Sequence, residues 1–408
     1  MTSANAPAGL GDGPLQGLRV LEFGQLIAGP HVGTLLGDFG AEVIKIEAPP
    51  DGDPMREWGR ARHNGRSLWW AIMGRNKRSV TLNLRLPAAQ RIALRLAEGC
   101  DILVENFRPG TMERWGLGPA DVHARNAGVV YARVSGYGQS GRYRDRPGFA
   151  SASEAISGLR FTNGYPDQPP PRYGISIGDT LAAQSAFTGI LMALYARDVR
   201  GAAGQVVDAA ITDACLAVTE SGVLEYSKAG AVRQAGGTRL PGIAPSNVYR
   251  AKDGRWVVIA ANHDTLWRRL AALIGRPELA DDARFSTFRA RGENEDLLDE
   301  LIGQWAARYT AAELDLIVNE AGVVCAPVNN AADVLADPYF KERGLLIDYE
   351  DPVHGTITAP GVIPKLESTP GRVRSPARWT AGADTADVLR DLGLDDEAIS
   401  ELRRDGVV

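Results

Sequence analysis

Residues 17–47 run Gly17-Leu-Arg-Val-Leu-Glu-Phe23, Gly24-Gln-Leu-Ile-Ala-Gly-Pro30, His31-Val-Gly-Thr-Leu-Leu-Gly-Asp-Phe-Gly40 and Ala41-Glu-Val-Ile-Lys-Ile-Glu47, and this stretch decides the fold. Leu18–Phe23 is an apolar run behind Gly17. Pro30–Gly40 carries helical periodicity through Val32, Leu35 and Leu36, and Val43–Glu47 is another β-branched run. Strand, helix and strand at such short spacing read as a right-handed βαβ unit with parallel strands. The alternation continues outward. Ser79–Leu84, Asp101–Glu105, Val129–Val134 and Gln205–Ala210 read as strands. Pro87–Gly99, Gly110–Trp115, Thr180–Arg197 and Ala214–Ala229 read as helices. This pattern predicts an α/β fold, a doubly wound Rossmann-like large domain with its site at the C-terminal strand ends.

The pattern changes after the Gly/Pro-rich loop Gln234–Pro245. Asn247–Arg250 and Arg255–Ala260 flank Asp253-Gly254, the signal of a type I′ hairpin. Helical segments follow at Thr265–Ile274 and Asn294–Tyr309, and Thr310-Ala-Ala-Glu313 is a capping box that opens a third. We therefore expect a smaller α+β domain over 231–325. The strand-like Gly355–Ile357 and the helical Thr385–Leu392 are expected to return to the large domain, which then spans 15–230 and 326–408.

Composition narrows the function. The 408 residues are 44% hydrophobic and 23% charged, as in a globular chain. A net charge of −5 makes a general phosphate-backbone binder a poor reading, so no nucleic acid is expected. The three cysteines and five histidines are scattered without CxxC or HxxxH, so neither a disulfide framework nor a metal site is expected. The apolar stretch Leu181–Tyr195 is broken by Gln184, Ser185 and Thr188. Residues 1–14 lack a signal peptide's basic and apolar regions and read as a frayed tail. A cytoplasmic chain with no membrane partner is the expectation.

The first βα turn has glycines only at Gly24 and Gly29, beside Pro30. GxGxxG is missing, so the dinucleotide-binding reading loses its phosphate loop, and Glu47 is read as a surface or capping carboxylate rather than a ribose acid. No GxxxxGK[ST], GxSxG or HExxH is present. Two segments carry more. Val104-Glu-Asn-Phe-Arg-Pro-Gly110, with Arg114 a turn on, places polar, aromatic and cationic groups at a strand's C-terminal end. Ser176-Ile-Gly-Asp179-Thr180 opens the long apolar helix. An aspartate there is most often an N-cap, and the helix dipole also keeps its carboxylate ionised, as a nucleophile requires.

At these residues the sequence resembles the class III CoA-transferases, the family of formyl-CoA transferase and carnitine CoA-transferase. The likeness runs from about Leu15 to Val408. It is carried in order by Ala28-Gly-Pro30, Gly40-Ala-Glu-Val-Ile-Lys-Ile-Glu47, Asn76-Lys-Arg-Ser79, Glu105-Asn-Phe-Arg-Pro-Gly110, Ser135-Gly-Tyr-Gly138, Gly178-Asp179 and Gly201–Asp208. The resemblance implies that Asp179 is the catalytic aspartate. It implies CoA contacts at Ile27 and Ala28, at Leu82, Asn83 and Arg85, at Asn106, Phe107, Arg108 and Arg114, and at Ser135, Gly136, Tyr137 and Gly138. Gly236 and Gly237 match a glycine-rich active-site loop, shorter here than in relatives. Ile27, Ala48 and Ser135 replace a polar residue, an arginine and a lysine of formyl-CoA transferase, which argues against formate and oxalate. The resemblance further implies acyl-CoA and a small carboxylic acid as substrates, no permanently bound cofactor, and an interlocked homodimer.

Two rivals are an α-methylacyl-CoA racemase and a non-catalytic acyl-CoA-binding protein. The racemase carries a histidine after a glycine where this chain has Gly148-Phe149, and phenylalanine cannot move a proton. The runs Gly136–Phe149 and Val362–Gly371 look most like the succinyl-CoA-dependent enzymes acting on C4–C5 dicarboxylates such as malate, citramalate, mesaconate or itaconate. Arg142, Arg144, Arg146, Arg172 and Arg239 are candidate receptors for a distal carboxylate, because guanidinium grips carboxylates bidentately.

Overall fold

A computed structural model describes residues 13–408, so the tail expected over 1–14 lies outside the described residues except for Gly13 and Pro14. The chain folds as two units. One runs to Leu159 and resumes over Arg172–Val223 and Tyr339–Val408; the other comprises Arg160–Pro171 and Leu224–Pro338. The stretch expected as a small domain, 231–325, falls inside the second unit, which also takes in residues 160–171.

The first unit is built on a six-stranded parallel sheet. Across it the strands stand in the order Lys77–Thr81, Glu42–Glu47, Arg19–Glu22, Ile102–Glu105, Val130–Ser135 and Val206–Ala210. In chain order that is 3-2-1-4-5-6, the Rossmann arrangement. The central strands Ile102–Glu105 and Val130–Ser135 are buried throughout, because helices cover both faces of the sheet. Strand order reverses between Arg19–Glu22 and Ile102–Glu105, and a crevice opens outside their C-terminal ends.

Helix Ile177–Arg200 packs its small face, Ala182, Ala183, Ala186, Ile190 and Ala193, into the core shared with Val32 and Leu36 of helix Ala28–Asp38. By length and composition this helix alone, among the described residues, could cross a membrane, yet that face is core. It starts at Ile177, three residues before the expected Thr180. Its end fits the sequence: Gly201 takes φ 72°, and Arg197 and Arg200 lie in the last turn. The expected helix Ala214–Ala229 is two, Ile211–Ala217 and Gly222–Ala229, with Glu220 at φ 53° between them. The C-terminal segment rejoins the first unit, where Val388, Leu389 and Ile399 complete the second core beneath the sheet.

The second unit holds a three-stranded antiparallel sheet, ordered Val324–Pro327, Trp256–Ala260, Ser246–Arg250, backed by helices around Trp267, Phe285 and Trp305. The hairpin forms, but its turn is not type I′: Gly254 has φ 81°, whereas Asp253 is not left-handed. Thr310 and Glu313 form the expected capping box.

Candidate active site

Two adjoining cavities lie at the strand ends of the first unit, and Gln25 lines both. The larger, about 330 Å³, is walled by Phe23, Ala48, Pro49, Leu82, Asn83, Arg85, Phe107 and Trp115. Phe23 and Phe107 follow the two strands of the reversal, so this cavity lies in that crevice. The smaller, about 100 Å³, is walled by Ile27, Ala28, Trp58, Asn106, Ser135, Gly136, Phe149 and Asp179. Of the residues expected around CoA, the structure thus brings Leu82, Asn83, Arg85 and Phe107 to one cavity, and Ile27, Ala28, Asn106, Ser135 and Gly136 to the other. Arg108, Arg114, Tyr137 and Gly138 line neither. Arg108 and Arg114 are exposed beside the larger cavity's Phe107 and Trp115, and Arg114 donates to Thr111 Oγ1 at 2.9 Å. Gly138 closes a turn, its N–H donating to Ser135 Oγ at 3.0 Å, and Tyr137 packs edge-on against Tyr143. Gly236 and Gly237 lie in the second unit, where Gly237 at φ 65° donates to Gly164 O at 2.7 Å.

Asp179 is not an N-cap. Ser176 takes that position, and Asp179 is the third residue of the helix. Among the described residues its carboxylate accepts no hydrogen bond, so it is half-buried, free and aimed at the cavity. Burial raises its pKa to about 6; the Glu154 carboxylate adds to the rise and the Arg172 charge opposes it. A carboxylate that is desolvated yet ionised near neutral pH is a competent nucleophile. A Cβ at Gly178 would meet Ile211, Cys215 and Ala150 at 3.1–3.3 Å, so a larger residue there would have to push these neighbours back by a few tenths of an ångström.

Glu154 was not anticipated. It is fully buried, and its Oε1 accepts the Gly178 N–H at 3.3 Å. The available signal was spacing: Ala150, Ser153 and Glu154 share the buried face of helix Ala150–Ile156, and a charge on such a face is unusual. Gln25 was missed because its role is positional; its backbone N–H and C=O exchange hydrogen bonds of 2.8 and 2.9 Å with the Asn106 amide. Glu47 is not a surface carboxylate. It is buried in a two-point pair with Arg56 (2.7 and 2.8 Å), and this pair holds its pKa below the usual range against the effect of burial. Phe149 is 73% exposed on the cavity wall, where a racemase would need a base.

The five candidate arginines separate. Arg239 is taken up by Asp299 at 2.6 Å and by Asp296 at 2.5 Å within the second unit. Arg144 pairs with Asp145 at 3.4 Å. Arg142 and Arg146 lie over the Tyr143 ring at 5.3 and 3.7 Å. Arg172 is exposed, without a hydrogen bond or ion pair among the described residues, and its charge acts on Asp179.

Comparison with known proteins agrees with this geometry. The family described as CoA-transferase family III matches residues 15–385. The succinyl-CoA–D-citramalate CoA-transferase of Chloroflexus aurantiacus is 48% identical over 97% of this chain and 98% of its own. The succinyl-CoA–L-malate CoA-transferase alpha subunit of the same organism is 39% identical over 96% of this chain and 91% of its own. Among solved structures, a CAIB/BAIF family protein from Brucella suis superposes with a TM-score of 0.82 at 30% identity, covering 93% of this chain and all of that one. The family model spans most of the chain, the sheet order agrees with it, and the chain belongs to the class III CoA-transferases.

Proposed function

We propose that this enzyme carries CoA from succinyl-CoA to a C4–C5 dicarboxylate through covalent intermediates on Asp179. The observation that carries the reading is the free, half-buried Asp179 carboxylate in a cavity that shares Gln25 with a second, larger one. A CoA chain laid along the larger cavity would bring its thioester to Asp179. The carboxylate oxygen attacks the thioester carbonyl, the C–S bond breaks, and its electron pair leaves on sulfur. This gives a succinyl–aspartyl anhydride and a CoA thiolate. The thiolate attacks the aspartyl carbonyl, the anhydride C–O bond breaks, and succinate leaves. The acceptor carboxylate then displaces the thiolate from aspartyl-CoA, and the thiolate attacks the acceptor's carbonyl in turn, restoring Asp179. No net proton is taken up. With the Gly178 N–H already held by Glu154, the other first-turn amides are the proposed oxyanion donors, and the Gly236-Gly237 segment is proposed as the active-site loop that the resemblance implies.

The relatives' named substrates favour a dicarboxylate. Arg172, the free one of the five arginines, is its proposed receptor. Succinyl-CoA with citramalate or malate should exceed formyl-CoA with oxalate by at least about tenfold in kcat/KM, read by mass spectrometry of the CoA thioesters. Equal use of formate and oxalate would refute the dicarboxylate reading. Arg172→Met should cost about 10–100-fold for dicarboxylates, the size of a lost charge-assisted bond, and little for a monocarboxylate pair. It should also move the acidic limb of the pH profile upward from about 6, since the Arg172 charge lowers the Asp179 pKa. A limb that stays or falls would count against Arg172 facing Asp179.

We place the enzyme in the cytoplasm as an interlocked homodimer. The outer face of helix Ile177–Arg200 supports the dimer, since it leaves Leu191, Met192, Tyr195 and Val199 exposed in one strip. Sedimentation at nanomolar concentration tests it, and a folded, active monomer would refute the interlock.

A further inference from the structure

Residues 24–30 run from behind strand Arg19–Glu22 into the first turn of helix Ala28–Asp38, and through Gln25, Leu26, Ile27 and Ala28 they form one wall of the Asp179 cavity. This loop does little to fix its own shape. Leu26 takes φ 62°, a conformation leucine avoids, and Ile27 at the helix N-cap has no side-chain acceptor to offer. The loop is held from outside, at Gln25 by the Asn106 amide and on either side of it by buried charges. Lys45 Nζ donates to Gly24 O at 2.8 Å. Asp53 Oδ1 accepts the Leu26 N–H at 3.0 Å. Lys77 Nζ donates to Pro30 O at 2.6 Å. The same groups neutralise one another: Lys45 pairs with Glu22 at 2.7 Å and with Asp53 at 2.8 Å, and Lys77 pairs with Glu22 at 2.8 Å. All four are at most 3% exposed. The family runs Gly40–Glu47 and Asn76–Ser79, which have no contact with the Asp179 cavity, supply Lys45 and Lys77.

Two cations and two anions taken out of water are a poor way to gain stability, since apolar side chains of similar volume often do as well. Fixing three backbone atoms of a catalytic wall is something apolar side chains cannot do. We propose that the Glu22–Lys45–Asp53–Lys77 cluster is a positioning device that holds the Gly24–Pro30 backbone, and with it Ile27 and Ala28, in register with Asp179. The inference rests on Asp179 being the nucleophile.

The test is the charge-balanced double variant Lys45→Met/Asp53→Leu, which leaves Glu22 and Lys77 as a neutral pair, assayed beside Asp179→Ala. Turnover is counted per active site titrated by covalent trapping, with the donor–acceptor pair that the wild type uses fastest. We expect kcat to fall about 10²-fold, the cost of a misplacement of about 1 Å, with KM for the acyl-CoA within about threefold because only Gln25 of residues 24–30 lines the larger cavity. Loss of structure alone would lower the titrated fraction and leave kcat per site unchanged. Wild-type kcat per site in the folded double variant overturns the proposal. If the double variant does not fold, Asp53→Asn decides. It keeps an acceptor for the Leu26 N–H but turns an amide toward Lys45, and its kcat should fall several-fold; an unchanged kcat overturns the proposal equally. Activity surviving in Asp179→Ala would instead overturn the nucleophile reading, whatever the cluster variants do.

Discussion

Replacing Asp179 by alanine is expected to abolish transfer and, at neutral pH, to raise the melting temperature. The loss should be at least about 10³-fold in kcat, as on removing other covalent nucleophiles. Hydroxylamine after acyl-CoA should mark wild-type Asp179 and leave the variant unmarked. The gain in stability follows from the geometry. Among the described residues the carboxylate accepts no hydrogen bond, and it caps no helix, so alanine loses little. Burial and Glu154 raise its pKa from 3.8 to about 6, so the fold disfavours the charged form. That penalty is present above pH ~6 and disappears as pH falls through the folded pKa towards the unfolded one. Converted at 1.4 kcal/mol per pH unit and reduced for partial exposure, it is about 2 kcal/mol at most, or a few degrees. The difference between the two melting curves should therefore close as pH is lowered from ~7.5 to ~4. A variant less stable than wild type at neutral pH would show that Asp179 makes a structural bond. Substantial transfer by the variant would remove it from the chemistry. Glu154→Gln gives the converse: with the repelling carboxylate gone, the acidic limb of the activity profile should shift down from about 6.

Much of the sheet was legible because burial on both faces leaves a plain signature, an apolar run such as Val129–Ala132 behind Gly128. Strand order was not. Glu22, Lys45 and Lys77 lie on three strands far apart in sequence, and only their adjacency in the folded sheet turns three isolated charges into a cluster. No local period carries that information. The start of the long helix was misread for a different reason. Asp179 is the residue type that caps helices, but Ser176 holds the cap position without a side-chain bond, so Asp179 is released to the cavity. The break at 218–221 has no proline and no glycine before Gly222, and the turn is made by Glu220 at positive φ, a conformation its side chain does not advertise. Arg172 was visible only as one of five arginines, and the ion pairs and ring contacts that occupy the other four set it apart.

Glu22→Gln should be among the most damaging single changes in the first unit. Glu22 has no exposed surface, and each of its two carboxylate oxygens faces a buried ammonium. The amide removes one negative charge and turns an N–H₂ group toward Lys45 or Lys77, leaving two buried cations to share Asp53. Breaking a buried ionic group in this way costs about 3–5 kcal/mol. At about 2–4 °C per kcal/mol for a unit of this size, the melting temperature should fall by roughly 10 °C. The pH dependence distinguishes this cause from ordinary loss of packing. Burial already lowers the Lys77 pKa, and Glu22 is the group that most opposes the fall. Without Glu22 the folded pKa drops further below the unfolded value, so the folded state sheds its proton first and the deficit must shrink as pH rises toward ~10. A deficit that stays constant or grows over that range would mean that Lys77 is not held by Glu22. Gly33→Ala attacks the same contact from the other side. Its Cβ would lie 1.9 Å from Glu22 Oε2, so helix Ala28–Asp38 and the carboxylate cannot both keep their places. Lys77 would lose its partner although no charge has been removed, and the alanine variant should reproduce both the lowered melting temperature and its recovery at high pH.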